Sequence, residues 1–340
     1  MVRLATLRKD FNRRAASLKY APSRAAKQVL YFPEFATMIK QVTVKVPATT
    51  ANLGPGFDCL GMALDVWNSI SVEVDSSSFD ILVEGEGADS LAKDESNLVY
   101  RSFRLPFDEV GKTVPRVRIS CHNEIPLGRG LGSSSAAAVG GLIAGNEVCG
   151  SPLSQERLLE LAAEIEGHPD NAAPALLGGC QIVVREGDRL VTASVPVPED
   201  LMAVIFVPDV PMPTDQARSL LSTEVDRQDA IYNIGRVALL VRAFATGDLA
   251  HLAVATDDRL HQPARQAIFR PMKNIFRAAL EAGALGVFLS GAGSSVLALT
   301  RGREYTVGYE MADIALKSGI EGSLKFTSPT SSGAYVESLS

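Results

Sequence analysis

The sequence predicts an α+β protein, because strand-like and helix-like segments are mixed without the strict strand–helix–strand alternation of a parallel sheet. Two further observations refine this prediction: one segment alternates apolar and polar residues with a period of two, which indicates a strand, and prolines near the middle of the chain indicate a domain boundary. The predicted strands are 39–46, 114–121, 180–185 and 201–207. The predicted helices are 134–148, 154–166, 225–246 and 265–282.

The strand signals differ in kind along the chain. The segment IKQVTVKV at 39–46 alternates, which indicates a strand with one buried face. The segment 201–207 is continuously apolar, which suits a strand buried on both faces. Prolines crowd residues 196–213 on both sides of that strand. We therefore place a domain boundary near residue 198.

Composition excludes several classes of protein. The chain is 46% hydrophobic and 21% charged, which is typical of a folded globular protein. No apolar run approaches the ~18 residues of a membrane span, and a net charge of −6 gives no electrostatic support for binding nucleic acid. The four cysteines lack the spacing of a zinc site or a disulfide framework. We read them as reduced thiols of a cytoplasmic protein.

Residues 1–37 differ from the rest of the chain. They carry eight basic side chains and two acidic ones, and they lack a long apolar run. Such a segment is typical of an organellar transit peptide, which would place the protein in a plastid. Alternatively, translation starts at Met38, directly before the first strand, and residues 1–37 are a disordered arm. We favour the second interpretation.

The most informative segment is EIPLGRGLGSSSAAAVG, at 124–140. Its three glycines allow a close approach of the backbone to a ligand, and the serines that follow predict a helix start with Ser133 as its N-cap. Unpaired amides at a helix N-terminus favour a phosphate-sized anion. The segment lacks the lysine of a Walker A loop. The alternative is a tight loop–helix junction that serves packing alone.

Two other segments contain glycine-rich turns. PATTANLGPGFDCLGMAL at 47–64 follows the first strand and presents Asn52 and Asp58. LSGAGSSVLALT at 289–300 places a glycine–serine turn between two apolar runs. Each is a weak signal alone, since an ordinary hairpin turn explains 291–293 equally well.

Together and in this order, the three segments resemble the signature motifs of the GHMP small-molecule kinases. The wording of 47–64, with EGHPDNAAPALLGG at 166–179, is most similar to the branch that acts on homoserine. The resemblance spans Met38 to the C-terminus. It implies the GHMP kinase fold, with a ribosomal-protein-S5-like N-terminal domain at 38–198 and a ferredoxin-like C-terminal domain at 199–340.

The resemblance implies that ATP is the phosphate donor and that Mg²⁺ accompanies it. Asn97 resembles the adenine-pocket asparagine, although a helix cap at Ser96 would explain this segment too. The implied phosphate-binding residues are Pro126, Leu127, Gly128, Arg129, Gly130, Leu131, Gly132, Ser133, Ser134 and Ser135. For the metal we expect Ser134 with one glutamate of the 154–166 helix. The options are Glu160, Glu164 and Glu166, of which we choose Glu164.

The implied substrate is L-homoserine, an amino acid with a side-chain hydroxyl. Asp58, His168 and Asp170 are expected around its amino and hydroxyl ends, with Asn52 and Asn171 nearby. Of these, Asp58, Asp170 and Asn171 are the candidate catalytic residues. Asp170 could accept the hydroxyl proton, or the γ-phosphate itself could receive it. The structural alternative places Pro169 at the first position of a helix, with Asp170 complementing its dipole.

The carboxylate of homoserine requires cations, and an arginine fork can hold it with two parallel hydrogen bonds. Arg218, with Thr214 in the same motif, and Arg265 resemble the family's carboxylate-binding residues; the alternative is solvated helix charges. Trp67 and Asn68 are expected to line the nucleotide cleft. His122, His251 and His261 are assigned no role, because no metal-ligand spacing links them.

The predicted activity is ATP-dependent phosphorylation of homoserine on the route to threonine. The alternatives are a kinase of the same family that acts on another small alcohol and a non-catalytic binding protein of this fold. The family resemblance implies a homodimer.

Overall fold

We analysed the protein in a computed structural model that describes residues 39–76 and 78–340. Ile39–Ser340 forms one compact unit. The basic segment 1–37 and Met38 lie outside the described residues, so the choice between the two N-terminal interpretations stays open.

The described residues form two sheets. In the first, the order is β11-β1-β2-β4-β3, and β2 also pairs with β5, which pairs with β6. Its strands are β1 (Gln41–Ala51), β2 (Leu60–Val74), β3 (Asp80–Gly85), β4 (Val117–Asn123), β5 (Cys180–Glu186), β6 (Arg189–Val195) and β11 (Tyr335–Leu339). Its pairs are antiparallel except β3 with β4. The second sheet has the order β10-β7-β9-β8 and is antiparallel throughout. Its strands are β7 (Met202–Pro208), β8 (Gly286–Leu289), β9 (Val296–Thr300) and β10 (Gly322–Thr327).

Ten helices are found among the described residues. They are α1 (Leu98–Val110), α2 (Ser133–Val148), α3 (Gln155–Glu166), α4 (Ala172–Leu177), α5 (Thr214–Ser219), α6 (Arg227–Thr246), α7 (Leu252–Ala255), α8 (Gln262–Arg265), α9 (Met272–Glu281) and α10 (Glu304–Lys317). The alanine- and glycine-rich α2 is buried along most of its length and packs against α1 and β1. Its small side chains allow that close packing, which fixes the start of the helix beside the first sheet.

The four predicted strands and three of the four predicted helices are confirmed within a few residues. The helix predicted at 265–282 is confirmed only as α9 and begins too early, because α8 ends at Arg265 and α9 begins at Met272. Pro271 lies directly before α9, and a proline cannot donate the backbone hydrogen bond that a continuous helix would need there.

The boundary predicted near residue 198 lies between β6 of the first sheet and β7 of the second. The end of the chain returns to the first sheet, where β11 pairs with β1. The two sheets therefore do not divide the chain at one point, and the boundary stays a prediction. Across 39–76 and 78–340, no helix combines the length and the apolar character that a membrane crossing requires.

Candidate active site

The three glycine-rich segments meet at one place, although they are far apart in sequence. Backbone amides join them: Thr49 donates to Leu131 O at 3.1 Å, and Gly291 donates to Ala51 O at 3.1 Å. Beside this junction lies a cavity of about 590 Å³. Residues of all three segments line it, and so do the segments 166–171 and 214–218. The fold thus gathers the candidate residues around a single cleft.

The glycine loop ends at the N-terminus of α2. Gly132 is the N-cap, with φ 70°, and it has no side chain to cap the helix, so the predicted cap at Ser133 is wrong. A Cβ on Gly132 would lie 1.9 Å from Thr49 Oγ1, and one on Gly130 would lie 2.0 Å from Ser290 O. Only glycine fits these positions. The first amides of α2 have no intrahelical acceptor, and Ser133 lies in the cavity wall, as a site for phosphate requires.

Arg129 and Asn97, which we predicted to contact the nucleotide, both use their polar side-chain groups to bind the protein backbone. The Arg129 guanidinium donates to the carbonyl oxygens of Leu127, Pro208 and Asp209, at 3.0, 2.7 and 2.6 Å. Arg129 itself does not line the cavity, whereas its neighbours Gly128 and Gly130 do. The backbone of the loop, and not the Arg129 side chain, is therefore the candidate phosphate contact.

Asn97 lines the cavity but acts as the N-cap of α1. Its Oδ1 accepts from Val99 N at 2.9 Å, and its Nδ2 donates to Ala92 O at 2.6 Å. The alternative of a cap at Ser96 is therefore wrong, and Asn97 holds the 92–99 segment beside the pocket, while its place near the adenine stays a prediction.

The wall near Asn97 is mainly apolar, as a planar base requires. Its side chains include Ile70, Val83, Leu91, Leu98, Pro126 and Leu127. Asn68 also lies here, and its Oδ1 accepts from Glu124 N and Ile125 N at 2.9 and 3.1 Å, which orients the chain as it enters the glycine loop. Trp67 does not line the cavity. Its Nε1 donates to Asp65 instead, so the prediction for Trp67 is wrong.

The glutamates of α3 point in different directions. Glu166 lies in the cavity wall, where its Oε2 accepts from Ser134 Oγ at 2.8 Å and from the buried Ser135 Oγ at 2.6 Å. Glu164 accepts from Arg157 at 3.1 Å and does not line the cavity. Residues two apart on a helix lie on nearly opposite sides of it. We therefore replace Glu164 with Glu166 as the candidate metal ligand.

No cluster of three or more His, Cys, Asp and Glu side chains in the described part of the chain could hold a metal ion alone. A Mg²⁺ ion bound by one carboxylate, water and substrate phosphates does not need such a cluster. The adjacent Ser134 hydroxyl and Glu166 carboxylate are hard oxygen donors of the right kind, so the residues fit this ion.

Asp170 lies at the centre of a hydrogen-bond network. Its Oδ1 is 2.6 Å from His168 Nδ1 and accepts from Asn171 N at 2.9 Å, while Asn171 Oδ1 accepts from Thr49 Oγ1 at 2.8 Å. Burial lowers the pKa of His168, but the hydrogen bond and the charge of Asp170 outweigh it, and the pKa is raised. The helix α4 begins only at Ala172, so the structural alternative, with Pro169 at the first position of that helix, is wrong. Asp170 is 2% exposed and faces the cavity.

The first glycine-rich loop presents Asp58 to α5. Asn52 Oδ1 accepts from Asp58 N at 3.0 Å, and Asn52 Nδ2 donates to Gly291 O at 3.0 Å. Arg218 holds the Asp58 carboxylate with two hydrogen bonds, of 2.7 and 3.1 Å. Thr214, on the same helix as Arg218, also lines the cavity. Arg218 is thus close to the predicted substrate site, but its guanidinium is paired with a carboxylate of the protein.

Arg265 is buried at the back of the same cavity. It donates to Gly291 O and to His261 Nδ1, both at 2.8 Å, and its buried Nε has no partner among the described residues. Burial and the neighbouring Arg218 lower the pKa of Arg265 to about 10. His261, which we assigned no role, donates from Nε2 to Gly54 O at 2.7 Å and therefore joins Arg265 to the first loop.

Asp258 and Phe57 complete the support of Arg265. Asp258 accepts from the amides of His261 and Gln262 at 3.0 and 2.7 Å. The Phe57 ring stacks on His261, with 5.3 Å between the ring centroids. The contacts of Asp258 are local, whereas Phe57 lies about 200 residues from His261, so no local sequence signal predicts that contact.

Comparisons with known proteins identify the family of this chain. Residues 97–179 match the family described as GHMP kinases N terminal domain, and residues 240–312 match GHMP kinases C terminal. The chain is 43% identical over 293 residues to a homoserine kinase of Moorella thermoacetica, covering 86% of this chain and 99% of the relative. It is 49% identical over 261 residues to a homoserine kinase of Gloeobacter violaceus, covering 76% of this chain and 87% of the relative.

Solved structures give the same result. The crystal structure of a homoserine kinase from Cytophaga hutchinsonii superposes with a TM-score of 0.78 at 31% identity, covering 89% of this chain and 99% of that one. The predicted GHMP kinase fold is confirmed. With the relatives above, these matches show that the chain belongs to the homoserine kinase family of the GHMP kinases.

Proposed function

We propose that the protein transfers the γ-phosphoryl group of ATP to the side-chain hydroxyl of L-homoserine. One observation carries this proposal: a single cavity joins the amides at the start of α2 to a pocket that contains Asp58, Asp170, Arg218 and Arg265. Phosphoryl transfer requires a phosphate cradle, an oriented hydroxyl and charge stabilisation, and little covalent chemistry from the protein.

The nucleotide would lie with its base against the apolar wall near Leu98 and its phosphates over the loop 128–134. Backbone amides supply the contacts, since the Arg129 side chain is engaged elsewhere. Ser134 and Glu166 would hold Mg²⁺ beside the phosphates. When bound, the ion neutralises phosphate charge that builds up during transfer.

The substrate pocket is suited to a zwitterion. Asp58 can bind the ammonium group of homoserine, and Arg218, released from Asp58, can bind the carboxylate. Arg265 adds a fixed cation close by, and its unsatisfied buried Nε favours an anionic ligand. Asn52 and Thr214 lie beside these groups and can complete the polar contacts.

Asp170 is placed to orient the reacting hydroxyl. The network through His168, Asn171 and Thr49 holds its carboxylate in one position. The proton then leaves to Asp170 or to a γ-phosphate oxygen. Asp170→Asn separates these routes, because asparagine keeps the shape and the acceptor oxygen of the side chain but cannot take the proton. A fall in kcat of about 10²–10⁴-fold would support transfer to Asp170, and a kcat close to that of the unmodified protein would support transfer to the γ-phosphate.

A coupled assay of ADP release tests the proposal with homoserine, mevalonate, galactose and shikimate as acceptors. Of these four acceptors, we expect only homoserine to be phosphorylated. Activity on mevalonate equal to that on homoserine would overturn the choice of substrate, and failure to bind ATP–Mg²⁺ by calorimetry would favour the non-catalytic alternative.

Arg218→Ala and Arg265→Ala probe the carboxylate contact directly. Each variant is expected to lose about 1.5–3 kcal/mol of homoserine binding, the range for a hydrogen bond to a charged group. A substrate without a carboxylate would show no such loss.

Family membership also supports a role in threonine biosynthesis. It supports assembly as a homodimer as well, and sedimentation equilibrium would test that assembly. The four cysteines are free, as in a cytoplasmic protein.

A further inference from the structure

We infer that Arg129 is a positioning residue that fixes the substrate-binding helix α5 to the phosphate loop. This inference rests on the proposed function, because α5 carries Thr214 and Arg218 of the homoserine pocket. Arg129 lies in the loop whose backbone faces the nucleotide, yet its side chain reaches the segment that leads into α5.

The contacts of the guanidinium form a clamp across the two segments. Nε donates to Pro208 O at 2.7 Å and Nη2 donates to Asp209 O at 2.6 Å, both at the end of β7. Nη1 donates to Leu127 O at 3.0 Å within the loop itself. Three carbonyls arranged around one planar group require the fork geometry of arginine, which a lysine ammonium cannot reproduce.

The phosphate loop has other supports that do not depend on this side chain. Arg129 O accepts from Ser295 N at 3.1 Å, Gly130 O accepts from Ser290 Oγ at 2.6 Å, and Leu131 O accepts from Thr49 N at 3.1 Å. Removing the guanidinium therefore leaves the loop attached to both neighbouring segments.

Besides the clamp, three hydrogen bonds anchor the segment between β7 and α5, and the first joins Asp209 N to Glu321 O at 3.0 Å. Val210 O accepts from Ser294 Oγ at 2.6 Å, and Met212 N donates to Gly128 O at 3.2 Å. Only three residues separate the clamped 208–209 carbonyls from Pro213, the N-cap of α5. Two of the three acceptors of the guanidinium lie before α5 and only one lies in the loop, so loss of the clamp should disturb Thr214 and Arg218 more than the phosphate cradle.

The test compares Arg129→Lys and Arg129→Ala with the unmodified protein. In both variants we expect the KM for homoserine to rise about tenfold, as for loss of a charge-assisted hydrogen bond, while the KM for ATP stays within about twofold. Tryptic cleavage after Arg218, identified by mass spectrometry, should become faster in both variants. Ser294→Ala, which removes another anchor of the segment, should act in the same direction but more weakly.

Asp209→Asn is the matched control, because Arg129 contacts the backbone carbonyl of Asp209 and not its carboxylate. This control should keep both KM values and the cleavage rate. A rise in the KM for ATP equal to that for homoserine would overturn the inference, and so would full rescue by lysine. If the unmodified protein does not phosphorylate homoserine, the proposed function fails, and the cleavage rate alone then decides the role of Arg129.

Discussion

Replacing Gly130 and Gly128 separately with alanine tests whether the phosphate loop depends on contact with the third glycine-rich segment. Both residues have positive φ, 74° and 62°, so alanine introduces the same backbone strain at either position. The space around them differs. A Cβ at Gly130 would meet Ser290 O at 2.0 Å, whereas a Cβ at Gly128 finds its nearest neighbour, Pro211 Cβ, at 3.9 Å.

The expected magnitudes follow from these distances. Left-handed strain costs alanine about 1–2 kcal/mol at either position. Overpacking at Gly130 adds about 1–3 kcal/mol, because the obstructing atom belongs to the backbone and cannot rotate away. Gly130→Ala should therefore lower the free energy of unfolding by about 2–5 kcal/mol, against about 1–2 kcal/mol for Gly128→Ala. A shift of about 1 Å in the loop would also lower kcat/KM by roughly 100-fold.

Urea denaturation measures the stability difference, and initial rates at varied ATP concentration measure the loss of activity. Equal effects of the two substitutions on both quantities would refute the reasoning, because they would show that only backbone strain matters. A greater loss in Gly128→Ala would exclude the contact with Ser290 as the cause.

Two further predictions concern charged groups around the cavity. Glu166→Gln should raise the Mg²⁺ concentration needed for half-maximal activity at least tenfold, because an amide lacks the negative charge that a hard cation prefers. Glu164→Gln should leave that concentration unchanged. Similar shifts in both variants would contradict the choice of Glu166 as the metal ligand. Burial lowers the pKa of His261 from 6.5 to about 4, so the folded protein favours the neutral ring. The unfolded chain therefore binds the proton more readily, and the free energy of unfolding should fall by about 3 kcal/mol as the pH drops from about 6.5 to 4. His261→Gln should show a smaller decline over that interval in urea titrations, and an identical decline would refute the assignment of this pH dependence to His261.

Local sequence signals predict the phosphate loop of this site, whereas Asp58, Arg218 and Arg265 were expected in it only from the family resemblance. A few adjacent residues are enough to predict the glycine loop, the apolar strand at 201–207 and the helix that begins at Ser133. The choice among the α3 glutamates depends on which side of the helix faces Ser134, and that is decided by packing across the fold. His261 could not be assigned a role for the same reason, since its partner Gly54 is 207 positions away. Trp67 was misplaced because successive side chains of a strand point to opposite faces of the sheet, and of the two adjacent residues only Asn68 lines the cavity.

The Asp58–Arg218 pair supports the proposal that the pocket selects a zwitterion. Both side chains are about one-third exposed, at 35% and 34%, so water reaches the pair and opening it costs little. An incoming ammonium and carboxylate can replace each partner with a group of the same charge, and the net charge of the pocket does not change. A neutral alcohol offers no such exchange: it must either leave the pair closed or separate two opposite charges without compensation. Buried Arg265 remains as a fixed cation in both cases, and it favours the substrate that carries a carboxylate.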